Sequence, residues 1–134
     1  MIEIEQIKSR IAALATKHGL RLVILFGSQV TGKTHAHSDT DIGVLPSSTL
    51  TLRELAELQL TLTSIFKRPD VEITDLKSAS PLLLKEVAVS SISLYESEKN
   101  LFDQFRIYCF KRHMEDKGIL TLRERALDKY LQTV

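Results

Sequence analysis

The sequence is short of cysteine, of long apolar runs and of net charge, and each shortage excludes a class of protein. Its one cysteine, Cys109, can form no internal disulfide, so we predict a chain that folds in the reducing cytoplasm. No apolar run approaches the roughly 20 residues of a membrane span, and the N-terminus carries acid where a signal peptide carries base. We therefore predict a cytoplasmic protein with no membrane association.

The charge balance argues against nucleic-acid binding. Eighteen basic and seventeen acidic side chains leave a net charge of +1, which gives no overall field that attracts a polyanion. The best candidate for a local basic patch is the C-terminal tail, where basic residues outnumber acidic ones, and a solvated helix face explains that excess. We expect no direct nucleic-acid contact.

What the chain does contain is enough for one compact domain. Its 134 residues are 43% apolar and 26% charged, which is ordinary for a folded domain. We assign residues 1–134 to a single domain, with a core at about 20–95 and a helical segment at about 98–134.

Hydrophobic periodicity predicts helices and strands in alternation. Ile4, Ile7, Ile11 and Leu14 form one stripe of a helix that Gly19 closes. A continuous apolar run at 22–26 indicates a buried strand, and shorter strands are predicted at 41–45, 71–74 and 93–95.

Cap residues predict where the later helices begin. Thr51 and Glu54 form a capping box, and Ser80 precedes a proline at the first helical position. From Glu98 onward the pattern is helical, with a predicted break near Gly118 and a second capping box at Thr121 and Glu124.

The segment Gly27-Ser28-Gln29-Val30-Thr31-Gly32-Lys33-Thr34 satisfies the Walker A pattern. A P-loop leads into a substantial helix whose N-terminus helps to hold the phosphates. Only His35-Ala36-His37-Ser38 separate Thr34 from Asp39, which leaves no room for that helix. We therefore reject the P-loop interpretation, and the two histidines lack further ligands nearby for a zinc site.

A second pattern uses the whole segment: Gly27-Ser28, ten residues, then Asp39-Thr40-Asp41. Carboxylates at alternate positions of an extended chain point to the same side, where they can share a divalent cation. Hard oxygen ligands suit Mg²⁺, which bridges to substrate phosphates. Gly27 lets the backbone approach a phosphate, and the Ser28 hydroxyl can donate to a triphosphate. Lys33 either contacts phosphate or is a solvated loop residue.

This pattern resembles the signature of the minimal nucleotidyltransferases of the DNA polymerase beta superfamily. Gly32 and Ser38 also occupy family positions, and residues 71–80 are similar to the family's third-strand region. The resemblance covers roughly residues 20–95. It implies an α/β (α+β) fold of the polymerase-beta type, with a small mixed sheet flanked by helices and with C-terminal helices.

The resemblance also implies a set of site residues. Asp39, Asp41 and Glu72 are expected to be catalytic and to hold two Mg²⁺ ions. Gly27, Ser28, Lys33 and Ser38 are expected to bind the nucleotide. The family usually has aspartate where this chain has Glu72, and the extra methylene moves the carboxylate by about 1 Å. Asp70 and Asp75 are the alternative third acids.

Small size and the stretch 75–80 resemble the antitoxins of HEPN/MNT toxin–antitoxin pairs. That resemblance implies transfer of AMP from ATP to a tyrosine of a HEPN-type toxin, a ribonuclease, and a hetero-oligomer with it. Two alternatives stay open. One is a small-molecule nucleotidyltransferase of the aminoglycoside type, although such enzymes generally carry an added domain. The other is an antitoxin that only binds its partner.

Overall fold

The computed structural model describes residues 4–27 and 40–133 of the chain. Helices and strands alternate through these ranges, and the predicted strands are confirmed with ends that differ by at most two residues. In chain order the elements are α1 (Ile4–His18), β1 (Leu20–Phe26), β2 (Thr40–Pro46), α2 (Leu52–Phe66), β3 (Val71–Asp75), α3 (Pro81–Val89), β4 (Ser91–Glu96) and α4 (Leu101–Thr133).

The four strands form one mixed sheet in the order β3-β2-β1-β4. β1 pairs antiparallel with both β2 and β4, whereas β2 pairs parallel with β3. The predicted α/β class, a small mixed sheet flanked by helices, is confirmed. β3 lies at an edge of the sheet and therefore has a strand neighbour on one side only.

The apolar run of β1 is explained by burial on both faces of the sheet. Val23 and Leu25 lie on the first face, where they pack with apolar side chains of α1 and α2. Leu22, Ile24 and Phe26 lie on the second face, where they pack with α3 and α4. Because side chains alternate along a strand, only an uninterrupted apolar sequence can fill both cores.

The predicted caps at α2 and α3 are confirmed. The Thr51 hydroxyl accepts from the Glu54 amide at 3.1 Å, and the Glu54 carboxylate accepts from the Thr51 amide at 3.2 Å. The Ser80 side chain accepts from the amide of Leu83, and Pro81 is the first helical residue. These contacts satisfy amide groups that the first helical turn leaves without partners.

The prediction of a break near Gly118 is wrong, because α4 continues through it as one 33-residue helix. Thr121 and Glu124 therefore lie inside the helix, so the predicted helix start at Thr121 is wrong. A glycine inside a helix costs only about 1 kcal/mol relative to alanine, which good helix formers on either side offset. None of the helices in the described ranges has the length and hydropathy of a membrane span.

Candidate functional site

The site is built around a close approach between Gly27 and Asp41. β1 ends at Phe26, which is the register partner of Asp41 on β2. Gly27 follows with φ +82, and a Cβ placed there would collide with Oδ2 of Asp41. The bend after β1 therefore needs glycine for two reasons, the left-handed backbone and the space that the carboxylate occupies. The phosphate contact of Gly27 stays a prediction; the structure shows that Gly27 accommodates the Asp41 carboxylate.

Glu72 faces Asp41 from the neighbouring strand. The two residues are register partners in the parallel β2–β3 pair, so their side chains leave the sheet on the same face. Neighbouring strands lie about 4.8 Å apart, a separation that two carboxylates can bridge through a cation. Asp41 is half-buried and Glu72 is exposed to solvent.

Next to Asp41, the same face of β2 is covered by side chains that pack against Gly43. A Cβ at Gly43 would lie 2.8 Å from Cδ2 of Leu76 and 3.0 Å from Cγ1 of Ile24. Glycine at this position lets Leu76, which is 2% exposed, pack over the strand next to the carboxylates. The contact between Gly43 and Leu76 was not predicted; its signal in the sequence is a glycine inside an apolar strand, which often marks close packing.

The two alternative third acids have structural contacts of their own. Asp70 forms an ion pair with Arg68, in which Nε lies 3.1 Å from Oδ1. The hydrogen bond from Arg68 lowers the pKa of Asp70 below its ordinary value. Oδ1 of Asp75 accepts from the Lys77 amide at 2.9 Å. Among the acidic residues of β3 and its entry, Glu72 alone is the register partner of Asp41.

Several predicted site residues lie outside the described residues. They are Ser28, Lys33, Ser38 and Asp39, and the histidines at 35 and 37 lie there too. Within 4–27 and 40–133, no group of three or more His, Cys, Asp or Glu side chains is placed to hold a metal ion. The predicted ligand set includes Asp39, so the metal site stays a prediction.

The strand directions contradict a P-loop. In a P-loop protein the strand before the phosphate loop is followed by a helix that crosses over to a parallel strand. Here the next described element after β1 is β2, which begins at Thr40 and runs antiparallel to β1. The rejection of the Walker A interpretation is therefore supported by topology.

Thr40 connects the two strands that carry the carboxylates. Its amide donates to the carbonyl oxygen of Asp70 at 3.0 Å, which ties the start of β2 to the residue before β3. Its side chain is fully buried, and its hydroxyl has no hydrogen-bond partner within the described part of the chain. This role of Thr40 was not predicted, because in the sequence it is only the residue between two acids.

Comparisons with known proteins agree on one family. The sequence model of the family described as Polymerase beta, Nucleotidyltransferase matches residues 6–100. A protein adenylyltransferase MntA of Shewanella oneidensis is 37% identical over 81 residues, which are 60% of this chain and only 58% of that protein. The MntA of Aphanizomenon flos-aquae is 30% identical over 122 residues, 84% of this chain and 81% of that protein.

A solved structure resembles the whole arrangement. It is a chain of a toxin–antitoxin crystal structure with AMP-PNP, with a TM-score of 0.67 and 28% identity. The match covers 92% of this chain and 98% of that chain. The likeness therefore extends beyond the sheet and includes most of the helices.

Proposed function

Because the chain belongs to the polymerase beta nucleotidyltransferase family, we propose that it transfers AMP from ATP to a hydroxyl group of a partner protein. The observation that carries the proposal is the register pairing of Asp41 with Glu72 on one face of the sheet, beside the bend at Gly27. Relatives named protein adenylyltransferase, and a neighbour whose crystal structure contains AMP-PNP, support ATP as the substrate.

The donor set suits magnesium. Asp41 and Glu72 offer only carboxylate oxygens, from adjacent strands on one face, and the space left by the missing side chain of Gly27 admits the Asp41 carboxylate. Asp41, Glu72 and Asp39 would together hold two Mg²⁺ ions. When bound, Mg²⁺ neutralises the charge of the triphosphate and favours the ionised form of the attacking hydroxyl.

In the proposed reaction the hydroxyl oxygen forms a bond to the α-phosphorus of ATP, and the bond from that phosphorus to the bridging oxygen breaks. Pyrophosphate leaves, and the hydroxyl proton passes to solvent. The chain contributes position and charge compensation, as in phosphoryl transfer generally. We assign the triphosphate tail to Gly27, Ser28, Lys33 and Ser38, and the side of the attacking hydroxyl to Glu72.

We assign the acceptor to a tyrosine of a HEPN-type toxin, with which the chain would form a hetero-oligomer in the cytoplasm. The chain would then act as the antitoxin of the pair. Support comes from the two MntA relatives and from the 92% coverage by a chain of a toxin–antitoxin structure. A single domain at 1–134, with its core at 20–95 and its helical segment from 98 onward, is part of this proposal.

The test is transfer to the partner. The chain, α-labelled ATP and Mg²⁺ are incubated with the HEPN-type protein of the neighbouring reading frame, and the intact mass of that protein is measured. We expect a gain of one or more AMP units with the wild type and none with Asp41→Asn, which keeps the shape but removes the ligand charge. Asp75→Asn makes the same change at the far end of β3 and should leave transfer unaffected.

Three other outcomes contradict parts of this proposal. Transfer by Asp41→Asn at the wild-type rate eliminates the site assignment. Tight binding of the partner without a mass gain indicates an antitoxin that acts by binding alone. Labelling of an aminoglycoside in place of the protein indicates the small-molecule enzyme.

A further inference from the structure

We propose that Arg68 and Asp70 form a positioning pair, which fixes the start of β3 against β2 so that Glu72 stays opposite Asp41. Neither side chain is expected to touch the substrate. The inference rests on the proposed function, because it assigns a task to a contact beside that site.

The position of Glu72 depends on few contacts. β3 has five residues and lies at the edge of the sheet, so its backbone is hydrogen-bonded to a strand on one side only. Glu72 is the second residue of the strand and lies next to its start. A glutamate also has one more rotatable bond than an aspartate, so its carboxylate depends more strongly on a fixed backbone.

The ion pair lies directly before this strand. Nε of Arg68 is 3.1 Å from Oδ1 of Asp70, and Nη2 is 3.1 Å from Oδ2, so the contact is bidentate across Pro69. The Arg68 side chain is 26% exposed and that of Asp70 is 21% exposed. The ion pairs Lys8–Glu5 and Arg53–Glu57 are more exposed, and each has at least one side chain above 80%. A half-buried fork has a defined geometry that exposed pairs lack.

Backbone contacts carry this geometry to both strands. The carbonyl oxygen of Asp70 accepts from the amide of Thr40, the neighbour of Asp41. The carbonyl oxygen of Val71 accepts from the side-chain amide of Gln59 on α2. Residues 70 and 71 are thus held from β2 and from α2, and the Arg68 fork orients residue 70. The next residue along the chain is Glu72.

If the ion pair served only to stabilise the fold, its loss would lower the free energy of unfolding and leave the rate of transfer per folded molecule unchanged. A pair that still lies partly in solvent contributes little to global stability, so its loss should not unfold the domain. A shift of Glu72 against Asp41 acts on the reaction instead, because a misplacement of about 1 Å can cost about 100-fold in rate. The effect should then require an intact carboxylate at Glu72.

The experiment compares Arg68→Ala with Arg53→Ala, which removes an arginine from an ion pair on the outside of α2. We expect Arg68→Ala to lower the rate of AMP transfer by about tenfold, within the range that misplacement produces. The Mg²⁺ concentration for half-maximal rate should rise, and the KM for ATP should stay at the wild-type value. Arg53→Ala should match the wild type. Arg68→Lys, which keeps the charge but loses the fork, should fall between them.

A double variant tests the route of the effect. In a Glu72→Gln background, Arg68→Ala should cause no further loss of rate, because the side chain that it positions has already lost its function. Additive losses would overturn the proposal. So would a loss of rate in Arg68→Ala with unchanged Mg²⁺ dependence, or one that follows a lowered unfolding temperature.

A binding measurement separates this inference from the proposed function. Mn²⁺ binding is followed by electron paramagnetic resonance in the presence of a non-hydrolysable ATP analogue. We expect weaker binding in Arg68→Ala and wild-type binding in Arg53→Ala. If the wild type transfers no AMP, but Arg68→Ala binds Mn²⁺ more weakly than Arg53→Ala and the wild type, the proposed function fails and the positioning pair stands. Equal binding in both variants, or no binding by the wild type, overturns the positioning pair.

Discussion

β1 and β3 belong to the same sheet but differ in how far their side chains are buried. Six of the seven residues of β1 are buried, because helices cover both of its faces. In β3 only Val71 is fully buried, and Glu72 is exposed. The central strand therefore supplies stability, while the edge strand keeps Glu72 exposed to solvent opposite Asp41. Charged ligands can lie there without the cost of burying a charge.

The strongest test of this division is the glycine where the two regions meet. Gly27→Ala would strain a backbone at φ +82 and displace the Asp41 carboxylate. We expect a loss of activity of about 100-fold, as displacement by about 1 Å can produce, and a stability loss of about 1–2 kcal/mol. Gly19→Ala is the control, because Gly19 has φ +64 at the other end of β1 and faces Ser47. It should lose similar stability and no activity; equal losses of activity would contradict the role of Gly27.

Two isoleucines test whether β1, which helices cover on both faces, contributes more to stability than β3. Ile24 on β1 is fully buried, whereas Ile73 on β3 is only partly buried. Ile24→Ala should lower the free energy of unfolding by about 2–5 kcal/mol, and Ile73→Ala by clearly less, since the cost grows with the apolar surface that the side chain buries. Urea unfolding measures both. Activity per folded molecule should survive each change, and a larger cost at Ile73 would reverse the proposed division.

Glu72 should show the opposite behaviour. Glu72→Gln should lower the transfer rate by at least about tenfold to 100-fold, because changing a residue that only supports a metal ligand already costs that much. Stability should change by less than about 0.5 kcal/mol, as at other surface positions. Glu72→Asp keeps the charge and should lie between wild type and Gln. Glu86→Gln on α3 makes the same substitution elsewhere on the surface, and a similar loss of rate there would remove the case for Glu72.

The sequence predicted the covered region better than the arrangement of the site. The run at 22–26, the capping box at Thr51 and the proline at 81 each act through local physics, so the corresponding elements are confirmed. The family resemblance drawn from Gly27-Ser28 and Asp39-x-Asp41 is confirmed by the match to residues 6–100. Gly118 misled the analysis because neighbouring residues of α4 offset the local cost of a glycine.

Contacts between residues that are distant in the chain could not be predicted from the sequence. Nothing local to β2 indicates that it runs antiparallel to β1 and parallel to β3, since pairing depends on which faces the helices cover. The same limit hid the contact of Leu76 with Gly43 and the bond from Thr40 to Asp70. The roles of Ser28, Lys33, Ser38 and Asp39 stay predictions.

The smallest expected effect lies under α4, in the covered region. Cys109 is fully buried, and burial raises the pKa of its thiol to about 11 from 9.0. The folded state holds the thiol proton more tightly, so this contribution to stability is complete below pH 9 and is lost as the pH rises to about 11. Urea unfolding from about pH 8 to about pH 10 should therefore lose stability more steeply in the wild type than in Cys109→Ala. All other groups titrate alike in the two proteins. If the free energy of unfolding depended on pH in the same way in both, burial would not raise the pKa of the Cys109 thiol.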